Sequence, residues 1–177
     1  MASSNYPTTQ YTSEKFVESC GAIVFDLSEP KRVCLINYTK TNEWLLPKGR
    51  RSRGESRRQA ALREVQEETG YRCHIHPVTM PTRAPHQQDE QNAPDTARVC
   101  RDMDEPFMVT LRELNEKSEA KFIWWFIAAV DEAPERLLIS DGDFKAEFFT
   151  FDEALRKLKF REDCEVLSKA INLLERG

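Results

Sequence analysis

The chain has 177 residues, of which 40% are hydrophobic and 32% charged, and a formal net charge of −4. That length suits one domain with a core large enough to fold alone, and the composition is ordinary for a globular protein. The longest apolar run, FIWWFIAAV at residues 122–130, is far short of the roughly 18–20 residues a bilayer span needs, and the acidic balance argues against nucleic acid as a partner.

The first residues, MASSNYPTTQYTSEK, have neither a basic start nor an apolar stretch. Residues 1–14 are therefore expected to be a disordered lead-in rather than a secretory signal. Residues 16–27 (FVESCGAIVFDL) and 32–38 (RVCLINY) are β-rich runs around a Ser-Glu-Pro-Lys turn, which predicts a hairpin. Residues 44–46 form a short extended piece ended by Pro47, and a basic loop follows over 48–55. Ser56 with Gln59 makes a capping box that starts a helix at Arg57, and Gly70 stops it.

Residues 71–80 return to strand. Residues 81–105 are polar and predict a long loop, with a lid over substrate as its expected role. Two strands are expected at 107–114 and 121–130, and a short one at 147–151. Asp152 caps a final helical region, broken near Phe160, that runs to Arg176. Mixed strands with one helix in their midst and helices at the end predict an α/β class, a mixed sheet in an α/β/α sandwich, with 15–177 as a single domain.

Cys20, Cys34, Cys73, Cys100 and Cys164 are odd in number and widely spaced, without a CxxC pair. This argues against zinc and disulfides and for a reducing compartment, cytoplasmic or also nuclear, with packing as their role. His74 and His76 alternate along a strand. Without a third ligand, a solvent-facing or satisfied pair outweighs a metal pair.

The central helix holds the chemistry. Glu64, Glu67 and Glu68 stand at i, i+3 and i+4, on one face. Three carboxylates there repel one another, and a hard cation such as Mg²⁺ or Mn²⁺ supplies a reason for the arrangement. Ala61, Leu62 and Val65 form the stripe expected to dock the helix, with Ala60 beside the glutamates as a small residue leaving room for a ligand. Arg57 and Arg58 occupy the first turn, where the helix dipole disfavours cations. Arg57 lies two turns before Glu64 on the same stripe, so a phosphate bridging metal and arginine fits the surface. Lys48, Arg50, Arg51, Arg53, Arg57 and Arg58 make a basic cluster on an acidic protein, which points to a localised anionic ligand or to a solvated charged loop.

Gly49, Glu55, Arg63, Glu64, Val65, Glu67, Glu68, Gly70 and Tyr71 spell G-x5-E-x7-R-E-V-x-E-E-x-G-Y. This resembles the Nudix signature at every specified position but the last, where an aliphatic residue is usual. Seven fixed residues would coincide by chance on the order of 10⁻⁹ per start position at average usage. The resemblance implies a metal-dependent pyrophosphohydrolase in which Glu64, Glu67 and Glu68 hold divalent ions. Arg63 would position a glutamate, and Glu55 would support the loop or bind a further ion. Gly49 and Gly70 would supply backbone freedom. Water would attack a phosphorus of a diphosphate, with a further acid or base among Glu119, Asp141, Asp143 and Glu147.

The lead-in to the box, WLLPKG at residues 44–49, is similar to that of diadenosine polyphosphate hydrolases and diphosphoinositol polyphosphate phosphohydrolases. Lys48, Gly49, Arg50, Arg51, Arg53 and Arg57 become the expected contacts to a small-molecule polyphosphate. Their cationic density favours an inositol pyrophosphate, although the animal diphosphoinositol enzymes have a glycine-rich loop here. Trp124, Trp125 and Phe107 as base slots would favour a diadenosine polyphosphate. An mRNA decapping enzyme would need a wider basic surface, and a non-catalytic nucleotide sensor would not need all four box glutamates.

Overall fold

A computed structural model of the chain describes residues 5–85, 95–114, 119–131 and 142–176. In chain order the elements are β1 (Phe16–Asp26), β2 (Arg32–Tyr38), β3 (Glu43–Leu45), β4 (Lys48–Arg50), α1 (Arg57–Thr69), β5 (Cys73–Ile75), β6 (Val78–Thr82), β7 (Arg98–Met103), β8 (Met108–Leu114), β9 (Glu119–Val130), β10 (Phe144–Phe149), α2 (Phe151–Lys157) and α3 (Arg161–Leu174).

The main sheet runs β10-β2-β1-β9-β5, with β3 added to β2, β4 to β1 and β8 to β9. Its centre is the parallel pair β1–β9, in register from Phe16–Ala120 to Phe25–Ala129. The other main-sheet pairs are antiparallel, including the expected β1–β2 hairpin. Central strands with both faces covered read as continuous apolar runs, and Ser19 to Phe25 are buried throughout.

Alternation along β1 and β9 divides the interior in two. Cys20, Ala22, Val24, Phe126 and Ala128 face α1 and meet Ala60, Ala61 and Val65. Ile23, Phe25, Ile123, Trp125 and Ile127 face the other way and meet Ala154, Val166, Leu167, Ala170 and Leu173 of α2 and α3. The expected α/β/α layering is thereby present. Among the described residues no helix is long and apolar enough to cross a membrane.

Several local expectations change. The run 71–80 is two strands, because the chain leaves β9 after Ile75 and pairs anew through β6 with β7. Much of the expected loop 81–105 is therefore ordered: Pro81 and Thr82 finish β6, and Arg98–Met103 form β7. Residues 86–94 lie outside the described residues, as do residues 1–4 of the expected lead-in. The last strand starts earlier than expected, at Phe144, because it pairs along the whole of β2. Thr150, not Asp152, caps α2, through a capping box with Glu153. Ala60 is fully buried against the sheet, while Leu62 is only partly covered, so the docking stripe is Ala60, Ala61, Val65 and Thr69. Short side chains on this face, Cys20 and Ala22 against Ala60 and Ala61, let α1 lie close to β1.

Candidate active site

The loop–helix unit is held at both ends by the devices its sequence specifies. Ser56 Oγ accepts from the Gln59 amide at 3.2 Å, and Gln59 Oε1 accepts from the Ser56 amide at 2.9 Å. Gly70 ends α1 in the left-handed region at φ 75°, where a β-carbon is disfavoured. Gly49 serves differently. It sits on β4 opposite Cys20, and a Cβ there would run into the Glu64 carboxylate. Its role is close approach, not a positive φ. Gly21 does the same one strand away, where a Cβ would come within 2.6 Å of Lys48 Cβ and 2.8 Å of the Trp125 ring.

Arg63 gathers the carboxylates. Its Nε donates to Glu55 Oε1 at 2.8 Å and its Nη2 to Glu55 Oε2 at 3.0 Å. Its Nη1 donates to Glu64 Oε1 at 2.7 Å and to Glu67 Oε2 at 2.9 Å, and Nη2 also reaches the Arg50 carbonyl. These charge-assisted bonds to Glu55 hold its carboxyl below the usual range. Glu64 moves the other way. Burial of its side chain, only 13% exposed, raises it, and the Arg63 guanidinium does not offset this and the repulsion from Glu67 and Glu55. Glu68 Oε2 accepts from the Lys48 amide at 2.8 Å, which ties the far end of the glutamate face to β4.

The basic residues fall into two groups on opposite faces of the sheet. On the α1 face, Arg51 and Arg57 both pair with Glu18 of β1, and Arg58 pairs with Asp104 at 2.7 Å. Burial alone would raise Glu18, but Arg57, Trp124 and Arg51 donate to it and hold it below the usual range. Arg51 and Arg57, expected as substrate contacts, are thus held by Glu18 rather than turned along the glutamate face. The 3.6-residue period does align Arg57 with Glu64 along the helix, yet its side chain turns to the carboxylate that β1 presents and covers the Trp124 ring at 3.8 Å. These groups line a cavity of about 1040 Å³ between the start of α1 and the β6–β7 hairpin, whose wall also carries Glu55 and Glu105. Arg53 is exposed on the loop beside Gly54.

On the opposite face the structure adds two cations that the sequence reading missed. Lys121 alternates with Ile123 and Trp125, so it faces the α3 side. Its ammonium is pulled below the ordinary lysine range, first by burial and then by repulsion from Lys48, Arg112 and Arg50, against the pull of Glu68. Arg112, opposite Lys121 on β8, has its Nη2 3.8 Å from the carboxylate of Asp163 on α3, which burial raises. The sequence signal for Lys121 was a charge at the head of an apolar run, and Arg112, beside Glu113 in a mixed strand, carried none. Phe160, an exposed aromatic, lines a shallow hollow of about 410 Å³ with Arg112 and Thr110.

Of the outside acids, Glu119 shares a strand face with Lys121 by alternation. Asp143 pairs with Lys40 on the far edge of the sheet, and Glu147 is exposed on β10, also at that edge. Asp141 lies outside the described residues. Trp125 is buried, with its indole donating to Thr110 Oγ1 at 3.0 Å, and Phe107 is packed against the same core. His74 pairs with Asp131 in solvent at 3.0 Å, while burial lowers the His76 imidazole. The five cysteines are free thiols, two of them buried.

Among the described residues no three acidic, histidine or cysteine side chains converge as a finished ion cage. Glu55, Glu64 and Glu67 nonetheless share the Arg63 guanidinium, and Glu68, one residue on from Glu67, accepts from the Lys48 amide. A hard divalent cation fits this donor chemistry, because Glu64 is buried among other acids with one counter-charge shared between them.

A family model for the NUDIX domain matches residues 17–169. A Bacillus subtilis (strain 168) protein named "Putative 8-oxo-dGTP diphosphatase" is 39% identical over 72 residues, 41% of this chain and 48% of that one. The chain thus matches about half the length of that curated relative. A crystal structure of a C. elegans Ap4A hydrolase superposes with a TM-score of 0.60 at 18% identity, covering 90% of this chain and 98% of that one. A NUDIX hydrolase from Nitrosomonas europaea superposes with a TM-score of 0.57 at 19% identity, over 88% and 90% of the two chains. The two structures share the fold. With a family model matched over most of its length and a loop–helix unit built as the box requires, the chain belongs to the Nudix family.

Proposed function

We propose that this protein is a metal-dependent pyrophosphohydrolase whose substrate is a densely phosphorylated small molecule, in first place a diphosphoinositol polyphosphate. The observation that carries the reading is the group of cations near Glu68: Arg112 stands opposite half-buried Lys121 across β8–β9, and Lys48, whose amide holds Glu68, and Arg50 lie on β4, all three acting on Lys121. Glu68 and Asp163 offset only part of the charge of these four cations, so a polyanion would relieve the remainder, and an inositol pyrophosphate presents many phosphates on a compact ring.

Glu64, Glu67 and Glu68, with Glu55 behind them, would hold Mg²⁺ or Mn²⁺, which when bound supplies charge neutralisation and a more acidic water. Arg63 orients Glu55, Glu64 and Glu67, while the Lys48 amide fixes Glu68. Lys48, Arg50, Lys121 and Arg112 bind and orient the phosphates. Glu119, on the same strand face as Lys121, is the candidate for moving a proton outside the box.

A second reading, a diadenosine polyphosphate, is favoured by one feature. Phe160 is exposed beside Arg112 and offers a stacking surface next to the cations. Phosphate release from a diphosphoinositol polyphosphate and nucleotide release from diadenosine polyphosphates, each with Mg²⁺ or Mn²⁺, separate the two. Turnover of the inositol compound alone, with KM raised about tenfold or more in Lys121→Met, supports the first reading. Preference for the dinucleotide, with loss in Phe160→Ala, replaces it by the second. Inactivity on both compounds rejects both substrates.

A further inference from the structure

We propose that Glu18, outside the box on β1, is a positioning residue that clamps the box loop and thereby sets the affinity of the glutamate face for its divalent ion. The inference rests on the metal-dependent reading above and assigns a new residue to that site.

Glu18 brackets the segment that contains Glu55. Its Oε2 accepts from Arg51 Nε at 2.9 Å and lies 2.8 Å from Arg51 Nη2, on one side of the loop. Its Oε1 accepts from Arg57 Nε at 2.9 Å and Nη2 at 2.7 Å, on the other side. The Trp124 indole donates to the same oxygen at 2.9 Å, and the Arg51 amide donates to the Glu18 carbonyl at 3.0 Å. One side chain, 14% exposed, therefore accepts from two guanidiniums and an indole.

The clamp continues inward. Arg51 Nη1 donates to the Glu55 carbonyl at 2.8 Å, and the Glu55 carboxylate accepts from the Ser52 amide at 2.9 Å. That same carboxylate receives Arg63, whose third nitrogen, Nη1, holds Glu64 and Glu67. A run of charge-assisted bonds thus joins Glu18 to two box glutamates through Arg51, Glu55 and Arg63. Each joint is short and directional, so a loss at Glu18 frees the loop and lets Glu55 and Arg63 drift. It also takes the carboxylate partner from Arg57 at the start of α1, where the dipole disfavours a cation. Partners behind metal ligands typically govern affinity or activity by about 10–100-fold.

The test is Mn²⁺ binding to the whole protein, read from the free-ion electron paramagnetic resonance signal, alongside kcat and KM. Glu18→Gln is expected to keep its circular dichroism, to bind Mn²⁺ about tenfold more weakly, and to lose kcat with KM little changed. Arg51→Met, which breaks the relay from the loop side at a more exposed position, should weaken Mn²⁺ similarly and serves if Glu18→Gln does not fold. In a Glu55→Gln background the effect of Glu18→Gln on Mn²⁺ affinity should largely vanish, since the relay is already cut. Wild-type Mn²⁺ affinity in folded Glu18→Gln, or in Arg51→Met, overturns the clamp and leaves the hydrolase reading standing. Wild-type protein that binds no Mn²⁺ overturns both.

Discussion

Arg63→Met is the substitution whose cost follows most directly from the geometry. Arg63 is 32% exposed, and it removes the isolation of two carboxylates that are less exposed than itself, Glu55 at 15% and Glu64 at 13%. Methionine keeps much of the side-chain volume and none of the five donated bonds. Breaking a buried ion pair by deleting one partner costs roughly 3–5 kcal/mol, and the partial exposure of Arg63 argues for about 3 kcal/mol. That corresponds to a fall in Tm of roughly 6–12 °C for a domain of this size.

The pH dependence carries a definite sign. Glu55 has its carboxyl lowered chiefly by Arg63, so its contribution is present above the ordinary value of 4.5 and lost as pH falls through the lower folded value. Glu64 is raised by burial, so its penalty is absent below 4.5 and grows as pH rises through the folded value. Removing Arg63 deletes the first contribution and enlarges the second penalty. Both effects make the deficit largest near neutral pH and smaller in acid. Urea melts of wild type and variant at pH 7, where both effects are full, and at about pH 3, below the ordinary carboxylate value, measure it. A deficit below about 0.5 kcal/mol at pH 7, the size of a surface pair, or a deficit that widens in acid, refutes the reasoning.

Glu67→Gln and Glu68→Gln should each abolish most Mg²⁺-dependent turnover while leaving the circular dichroism unchanged. Near-normal activity in either variant removes that glutamate from the proposed ion site. Gly49→Ala should lower kcat by roughly 100-fold, the scale of an ångström-sized misplacement, because its Cβ displaces the Glu64 carboxylate; steady-state kinetics on the folded variant decides it. Leu167→Ala, at a fully buried position beneath the sheet, should cost about 2–5 kcal/mol in urea melts with kcat little changed. A cost within about 0.5 kcal/mol would show that the α3 layer is loosely packed.

Much of this molecule is local enough to be legible in its residues. The capping box at Ser56, the left-handed stop at Gly70 and the i, i+3, i+4 glutamates depend on neighbours within one or two turns, so periodicity and cap chemistry determine them. The apolar runs of β1, β2 and β9 likewise carry their burial in their composition. Direction and partnership are different. The β6–β7 pairing brings residues 98–103 back to residues 78–82, and nothing in a polar stretch announces which strand it will meet. Arg51 was expected as a phosphate contact from the charge density of its loop and Arg57 from its helical spacing to Glu64, and Glu18, 33 and 39 residues away, holds both on the α1 face. Lys121 and Arg112 carry no mark of a site within their expected strands, and the β8–β9 register sets them side by side near Lys48. The sequence by itself determined the glutamate face and the helix that presents it. Only the tertiary structure decided which cations stand beside that face, because a charge is directed by the nearest opposite charge in space, and that neighbour is supplied by distant strands.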